Sequence, residues 1–361
     1  MDETSRIAAI TAERVDLLLQ RPFESAKRRT TVAEVVRVTA RLHSGVEGRG
    51  EAAPAGYVTG EAAASLQLAV AAAAAELVGQ PVDRPQVWRE RLREALPHHP
   101  TGRSAVEAAL LDALAARCGL SLWRWLGGAT PTVVSDLSIP LLPPEAAAAR
   151  AREAVAEGFR RLKIKVGGPS PEEDEARVHA IAAAAPGLPL RLDGNQGFAP
   201  EAALTFVRNL VDAGIGVELL EQPVDRDDWE ALAHVTGRSP VPVIADEAVL
   251  TPADALRVAA TGAAHGINIK LAKSGIAGSL AIIAIARAAH LRLMLGCMLE
   301  SDWGIRTAVH LACGTGAFDY LDLDSHLLIG QQPPFTGFWQ QGETIGVEQE
   351  TSADAKGKST Q

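Results

Sequence analysis

In RRLKIKVGG, residues 160–168, Leu162, Ile164 and Val166 alternate with Lys163 and Lys165. A strand here turns both lysines to one side. On an edge strand that side would simply be wet. Inside a parallel sheet it would set two ammonium groups about 7 Å apart on a face that normally carries Val or Leu.

The neighbouring sequence favours the second arrangement. From about residue 132, short apolar runs recur: VVSDLSIPLL, RLKIKV, LPLRLDGN, GVELLEQP, VPVIADEA, GINIKLAK, LRLMLGCM and FDYLDLD. Helical stretches such as PEEDEARVHAIAAAA and SLAIIAIARAAH lie between them. Strand alternating with helix at this spacing predicts βαβ units and a parallel sheet. Eight such strands suit a (β/α)8 barrel whose last helix is irregular. A doubly wound open sheet is the alternative, but no Gly-rich dinucleotide turn follows an early strand. Residues 1–130 differ. RIAAITAERVDLLLQ and TTVAEVVRVTARL read as antiparallel strands joined by a loop, RPFESAKRRT, with helices from about Glu61 to Gly119.

Ionisable residues close the barrel strands: Lys163 and Lys165 on the second, Asp193, Glu221, Asp246 and Lys270 on the third to sixth, and Asp322 and Asp324 on the eighth. From Lys165 to Lys270 the steps are 28, 28, 25 and 24 residues, one βα unit each. All therefore fall on the C-terminal face of the barrel, where this architecture carries its active sites. Three carboxylates on consecutive strands suit a hard cation such as Mg2+. Lysines on the second and sixth strands flank them from opposite sides of the mouth. Lys163 beside Lys165, with a nearby dication, should depress the Lys165 pKa and make it a general base. Taken alone, a carboxylate after a strand is commonly a helix cap and Asp-x-Asp a solvated loop; it is the common register that carries the functional reading. Asn195 and Glu247 read as hydrogen-bonding neighbours of the ligands, and Lys273 as a solvated or dipole-related charge past its strand. Cys297 and Met298 either line the pocket or pack in the barrel. Trp123 and Trp125 read as packing residues, and the His-His-Pro at 98–100 as a loop.

Composition narrows the classes further. The 361-residue chain has a net charge of −9 with both signs dispersed, so it lacks the basic stripe of a nucleic-acid binder. Three scattered cysteines suggest neither a disulfide framework nor a zinc site. No signal-peptide pattern opens the chain, and residues 66–79 are too short and Ala-rich to span a bilayer. A cytoplasmic protein without membrane partners is expected. A homo-oligomer is compatible with the chain, and its oligomeric state stays open. The polar tail, residues 346–361, is expected to be disordered.

In their order, KIK, LDGN, EQP, ADEA and NIK resemble the muconate-lactonising subgroup of the enolase superfamily, over about residues 5–340. The resemblance implies a modified (β/α)7β TIM barrel, residues 131–325, with an N-terminal α+β capping domain, residues 1–130, to which residues 326–345 return. It also implies Asp193, Glu221 and Asp246 as Mg2+ ligands, Lys165 and Lys270 as the acid/base pair, and an enediolate as the intermediate. LDLDS, GCMLES and YVTGE look most like the dipeptide epimerases of that superfamily, in which Asp322 and Asp324 would hold the substrate ammonium. PFESAKRRT resembles the mobile loop of Ala-Glu epimerases, giving Arg28 to an acidic side chain. A small dipeptide is then the substrate. The alternatives are o-succinylbenzoate synthase or N-acylamino acid racemase chemistry, and a non-catalytic binder of small amino compounds.

Overall fold

The computed structural model describes residues 3–330 and 335–348. Its N-terminal part is built on an antiparallel sheet of β1 (Ile7–Ser25), β2 (Arg28–Leu42) and β3 (Glu47–Ala52). Most of the segment expected to be a loop, residues 21–30, is strand. Phe23 pairs with Thr30 and Ser25 with Arg28, leaving a two-residue turn at Ala26 and Lys27. The sequence hid this because the side of the hairpin that faces the barrel carries polar Ser25 and Arg28 beside Phe23, so it shows no apolar alternation. Helices Ala63–Leu77, Pro85–Ala95 and Pro100–Arg117 complete this part.

Beyond it comes β4 (Thr132–Val134), then eight parallel strands: β5 (Leu137–Ile139), β6 (Leu162–Lys165), β7 (Leu190–Asp193), β8 (Val217–Glu221), β9 (Val243–Ala245), β10 (Gly266–Ile269), β11 (Arg292–Gly296) and β12 (Tyr320–Asp322). They neighbour one another in chain order, and the Asp136 N–H donates to Leu321 O across the seam between β12 and β5, at 3.1 Å. VVSDLSIPLL is thus two strands. β4 leaves the barrel to pair with β14 (Thr344–Val347), itself paired with β13 (Phe338–Gln341), and Asp136 turns inward to Arg191 at 2.8 Å. Of the returning segment, Ile329 bridges to Leu19 of β1, whereas β13 and β14 build this third sheet rather than joining the first. Residues 346 and 347 of the expected tail are strand, and from residue 349 the tail lies outside the described residues.

Along the barrel strands Leu162, Ile164, Leu192, Leu220, Val243, Ile267 and Leu295 pack in the continuous apolar core. The alternate positions are Lys163, Lys165, Arg191, Asp193, Leu219, Glu221, Ile244, Asn268, Met294 and Tyr320, all buried. Period two therefore survives full burial: apolar side chains alternate with the groups that fill the barrel. Leu219, Ile244, Met294 and Tyr320 form a separate apolar cluster within it. The helix Leu271–Ala288 has the length and hydropathy of a membrane span, but half of it is buried against the protein and it follows directly on β10.

The N-terminal sheet is tied to the barrel at Ser301. The Ser301 N–H donates to Glu51 at 2.7 Å, its hydroxyl also donates to Glu51, and Arg37 donates to Asp302 at 3.3 Å while its guanidinium lies 5.0 Å from the Trp303 ring. This fixes the strand pair that carries the hairpin over the barrel mouth.

Candidate active site

Strand register sets the site. Lys165 pairs with Asp193 and Asp193 with Glu221, so the last residues of β6, β7 and β8 share one level. Asp246 and Lys270 directly follow β9 and β10, and Asp322 ends β12. Asp324 lies two residues past the strand, at the start of the turn Ser325–Leu328, with helical backbone (φ −114°, ψ −6°), not on the strand face with Asp322. Its carboxylate still turns inward and accepts the Ser138 N–H at 2.6 Å, while the Ser138 hydroxyl donates to Asp322 at 3.2 Å.

Lys163 is fully buried, its Nζ 2.6 Å from Asp322, 2.8 Å from Glu221 and 3.0 Å from Asp193. Lys165 bonds to Asp193 at 2.6 Å, and Lys270 to Asp246 at 2.7 Å. Burial pulls the Lys165 ammonium down, but Asp193, helped by Asp322 and Glu221, outweighs burial and Lys163 together, and the pKa stands above its ordinary value. Among the chain's own groups Lys163 does repel Lys165, but the carboxylates between them attract more strongly; the expected depression counted on a dication that would draw those carboxylates away. Burial opposes ionisation of Asp193, and Lys163 and Lys165 overcome it, holding its pKa low.

Glu221 and Glu247 behave differently. Burial, then Asp193, lifts Glu221 to about 7; burial, then Asp246 and Asp193, lifts Glu247 to about 7. Glu247 Oε2 and Asn195 Oδ1 are buried without a hydrogen bond, and Glu221 Oε2 has only the ion pair with Lys163. Among the described residues no three such side chains already converge at ligand distance, because lysines hold Asp193 and Asp246. The donor set is nonetheless all oxygen and negatively charged, with Glu221 Oε2 buried and without a hydrogen bond, which fits a hard dication better than zinc or copper.

Gln222 and Asn268, not singled out in the sequence, help shape this level together with Asn195. Gln222 accepts the N–H groups of Asp246 at 3.0 Å and Ala248 at 3.1 Å, and Asn268 donates to Glu221 at 2.7 Å. Asn195 donates its N–H to Asp193 at 3.0 Å and its side-chain amide to Glu247 at 3.3 Å. Asn195, Gln196 and Gln222 all have positive φ, so the strand ends are bent where the carboxylates converge. Asn268 could have been read from the sequence, since it stands two residues before Lys270 on one strand face. Lys273 is not solvated. It is buried, with bonds to Asp246 O, Asp246 Oδ1 and Asn268 O at 2.6, 2.8 and 2.9 Å.

One cavity of about 50 Å3 gathers Lys165, Lys270, Asp322, Asp324, Cys297, Met298 and Arg28, with Phe23, Tyr57 and Ser138. Cys297 and Met298 therefore line the pocket. Arg28 is half-buried beside Tyr57, 5.5 Å from its ring, whereas Lys27 and Arg29 are exposed. The metal-candidate carboxylates lie beneath this cavity rather than on its wall. Phe23, Ser25 and Arg28 of the hairpin form one side of this cavity. A cavity of about 430 Å3 shares only Phe23 and Ser138 with it and lacks the opposed lysines.

Residues 8–127 match the mandelate racemase/muconate lactonizing enzyme N-terminal domain, and residues 146–337 the enolase C-terminal domain-like family. This chain belongs to the mandelate racemase/muconate lactonizing enzyme family. Within it, the aromatic dipeptide epimerase of Herpetosiphon aurantiacus is 39% identical over 94% of this chain and 95% of its own. The substrate-liganded L-Ala-D/L-Glu epimerase of Bacillus subtilis superposes with a TM-score of 0.93 at 36% identity, covering 95% and 96% of the two chains. The dipeptide epimerase of Enterococcus faecalis, complexed with Mg and L-Leu-L-Tyr, gives a TM-score of 0.91 at 30% identity, covering 95% and 97%.

Proposed function

We propose that this protein is an Mg2+-dependent dipeptide epimerase, with residues 1–130 capping a barrel of residues 131–325, and that it inverts the α-carbon of the C-terminal residue. The reading rests on one observation: Lys165 and Lys270, from strands on opposite sides of the barrel, line the same cavity as Asp322 and Asp324. Binding alone would need no second lysine. Relatives of this chain are dipeptide epimerases, and the E. faecalis enzyme is complexed with Mg and a dipeptide.

Asp193, Glu221 and Asp246 would hold the cation, which when bound supplies positive charge at the substrate's C-terminal carboxylate. Asp322 and Asp324 accept hydrogen bonds from the N-terminal ammonium. Asp193 and Asp246, drawn to the cation, would release Lys165 and Lys270, which they now hold as ammonium groups. Of the two lysines, the one facing the α-hydrogen would then be neutral and take the proton. The other is an ammonium and donates a proton to the opposite face of the planar carbanion, so the two exchange protonation states in each turnover. Phe23 covers Lys165 at 6.0 Å and keeps water from the amine. Arg28 meets an acidic C-terminal side chain, which makes L-Ala-L-Glu the first substrate to try.

The test is incubation with Mg2+ and L-Ala-L-Glu in D2O, following the Glu α-proton by NMR. Loss of that signal with appearance of the diastereomer, both stopped by EDTA, is the expected result. Exchange into an N-acylamino acid but into no free dipeptide would overturn the reading in favour of racemase chemistry at the same lysines.

A further inference from the structure

We propose that Lys273 is a positioning residue that fixes Asp246 as a metal-binding carboxylate. The proposal rests on the reading of Asp246 as a ligand, not on the identity of the dipeptide.

The local chain explains how a lysine comes to lie there. Lys270 is the residue before the helix Leu271–Ala288, and Lys273, three residues on, donates its N–H to Lys270 O at 2.9 Å. The helix is then interrupted: Gly275 takes φ 65°, ψ −178°, and Glu107 accepts the Ile276 N–H of the resumed helix at 2.9 Å. A Cβ on Gly275 would stand 2.5 Å from Glu107 Oε2, so no larger residue fits the break. The result is one isolated turn beneath the strand ends, and Lys273 points back into them.

An ammonium has three N–H donors, and Lys273 has an acceptor for each: Asp246 O, Asp246 Oδ1 and Asn268 O. Two of these are main-chain carbonyls held by the barrel. Lys270, by contrast, has one carboxylate partner, Asp246 Oδ2, and borders the catalytic cavity. The two lysines divide the carboxylate between them. Lys270 is placed to move, and Lys273 is anchored on three sides. Lys273 does not line the catalytic cavity. It lines a separate one of about 360 Å3, together with Arg89, Arg103, Glu107, Leu250 and Ser274. A group that meets neither substrate nor solvent on the catalytic side, yet fixes one oxygen of a ligand carboxylate, acts through that carboxylate. Outer partners of this kind typically change metal affinity by about 10–100-fold when removed.

The experiment is Mn2+ binding to the full chain, read by EPR without substrate, for the parent protein, Lys273→Met and Lys273→Ala. Both variants should bind about ten-fold or more weakly, while the dipeptide KM at saturating metal stays parent-like. Lys273 borders that separate cavity, and propylammonium replaces the atoms deleted in Lys273→Ala. It should restore Mn2+ affinity, whereas tetramethylammonium, which has no N–H, should not. Parent-like affinity in Lys273→Met, or equal rescue by both amines, overturns the proposal. Should Lys273→Met fail to fold, Lys273→Arg takes its place: a planar fork cannot converge on three acceptors around one nitrogen, so parent-like affinity there overturns it equally. Absence of Mn2+ binding by the parent protein would overturn the metal-site reading itself, a distinguishable result.

Discussion

Lys163 Nζ lies 2.6 Å from Asp322 Oδ2 in the barrel interior, and the same nitrogen contacts Asp193 and Glu221. One buried cation thus joins the carboxylate that would receive the substrate ammonium to two that would hold the metal. Lys163→Met should leave these carboxylates uncompensated and destabilise the fold by about 3–5 kcal/mol, measured by urea unfolding. A loss of well under about 1 kcal/mol, the range of exposed pairs, would mean that the buried network is not held by Lys163.

Asp322→Asn removes charge where a free amine would sit. Turnover of L-Ala-L-Glu should fall about ten-fold or more, as for loss of a charged hydrogen bond. α-Proton exchange on an N-acetylated amino acid, if any exists, should be unaffected. Equal loss on both substrates would place Asp322 outside amine recognition.

Gly296 faces Lys270 across β10 and β11. A Cβ there would lie 2.9 Å from Lys270 Cε and 2.8 Å from Asn268 Nδ2. Gly296→Ala should therefore lower kcat by displacing Lys270, with a smaller effect on KM. Steady-state kinetics check this, and a parent-like kcat would mean that Lys270 has room to give.

Arg28→Met should raise KM for an acidic dipeptide by about ten-fold or more while leaving L-Ala-L-Leu almost unchanged, the difference expected for one charge-assisted contact. Kinetics on the two substrates separate this from general damage to the hairpin.

A pH effect on stability follows from His310. Its Nδ1 accepts the Trp123 N–H at 3.1 Å, so Nε2 carries the proton toward Gly337 O. Burial, then Arg306, lowers its pKa from 6.5 to about 4. Above pH 6.5 both folded and unfolded chains hold it neutral and the contribution is intact. Between pH 6.5 and 4 only the unfolded chain gains the proton, so stability falls with pH, by about 3 kcal/mol in all. Because Glu221 and Glu247, raised to about 7, act in the opposite sense over this range, the check is the difference in urea stability between the parent and His310→Gln at each pH, which should shrink by this amount from pH 6.5 to 4.

The barrel and most of its charged strand ends were legible in the sequence because their spacing follows from the βα unit and their alternation from strand geometry. What escaped depended on backbone departures that periodicity does not encode. Asp324 reaches the pocket from a helical turn. Lys273 is buried because the helix breaks at Gly275. β3 was masked by Gly48 and Gly50, which leave room for Ala105 and Ala109 of the helix Pro100–Arg117. The polar hairpin of residues 21–30 has no apolar face to announce it. The pull of Asp193 on Lys165 was missed because sequence shows Lys163 beside it but not the distance to Asp193.

The most direct test is α-proton exchange in D2O with Lys165→Ala and Lys270→Ala, each supplied separately with both epimers of the dipeptide. Neither variant should epimerise, and whatever exchange survives should be confined to one epimer in the first variant and to the other epimer in the second. Near-normal turnover in either variant, or survival of exchange on the same epimer in both, would contradict two opposed lysines acting on one α-carbon.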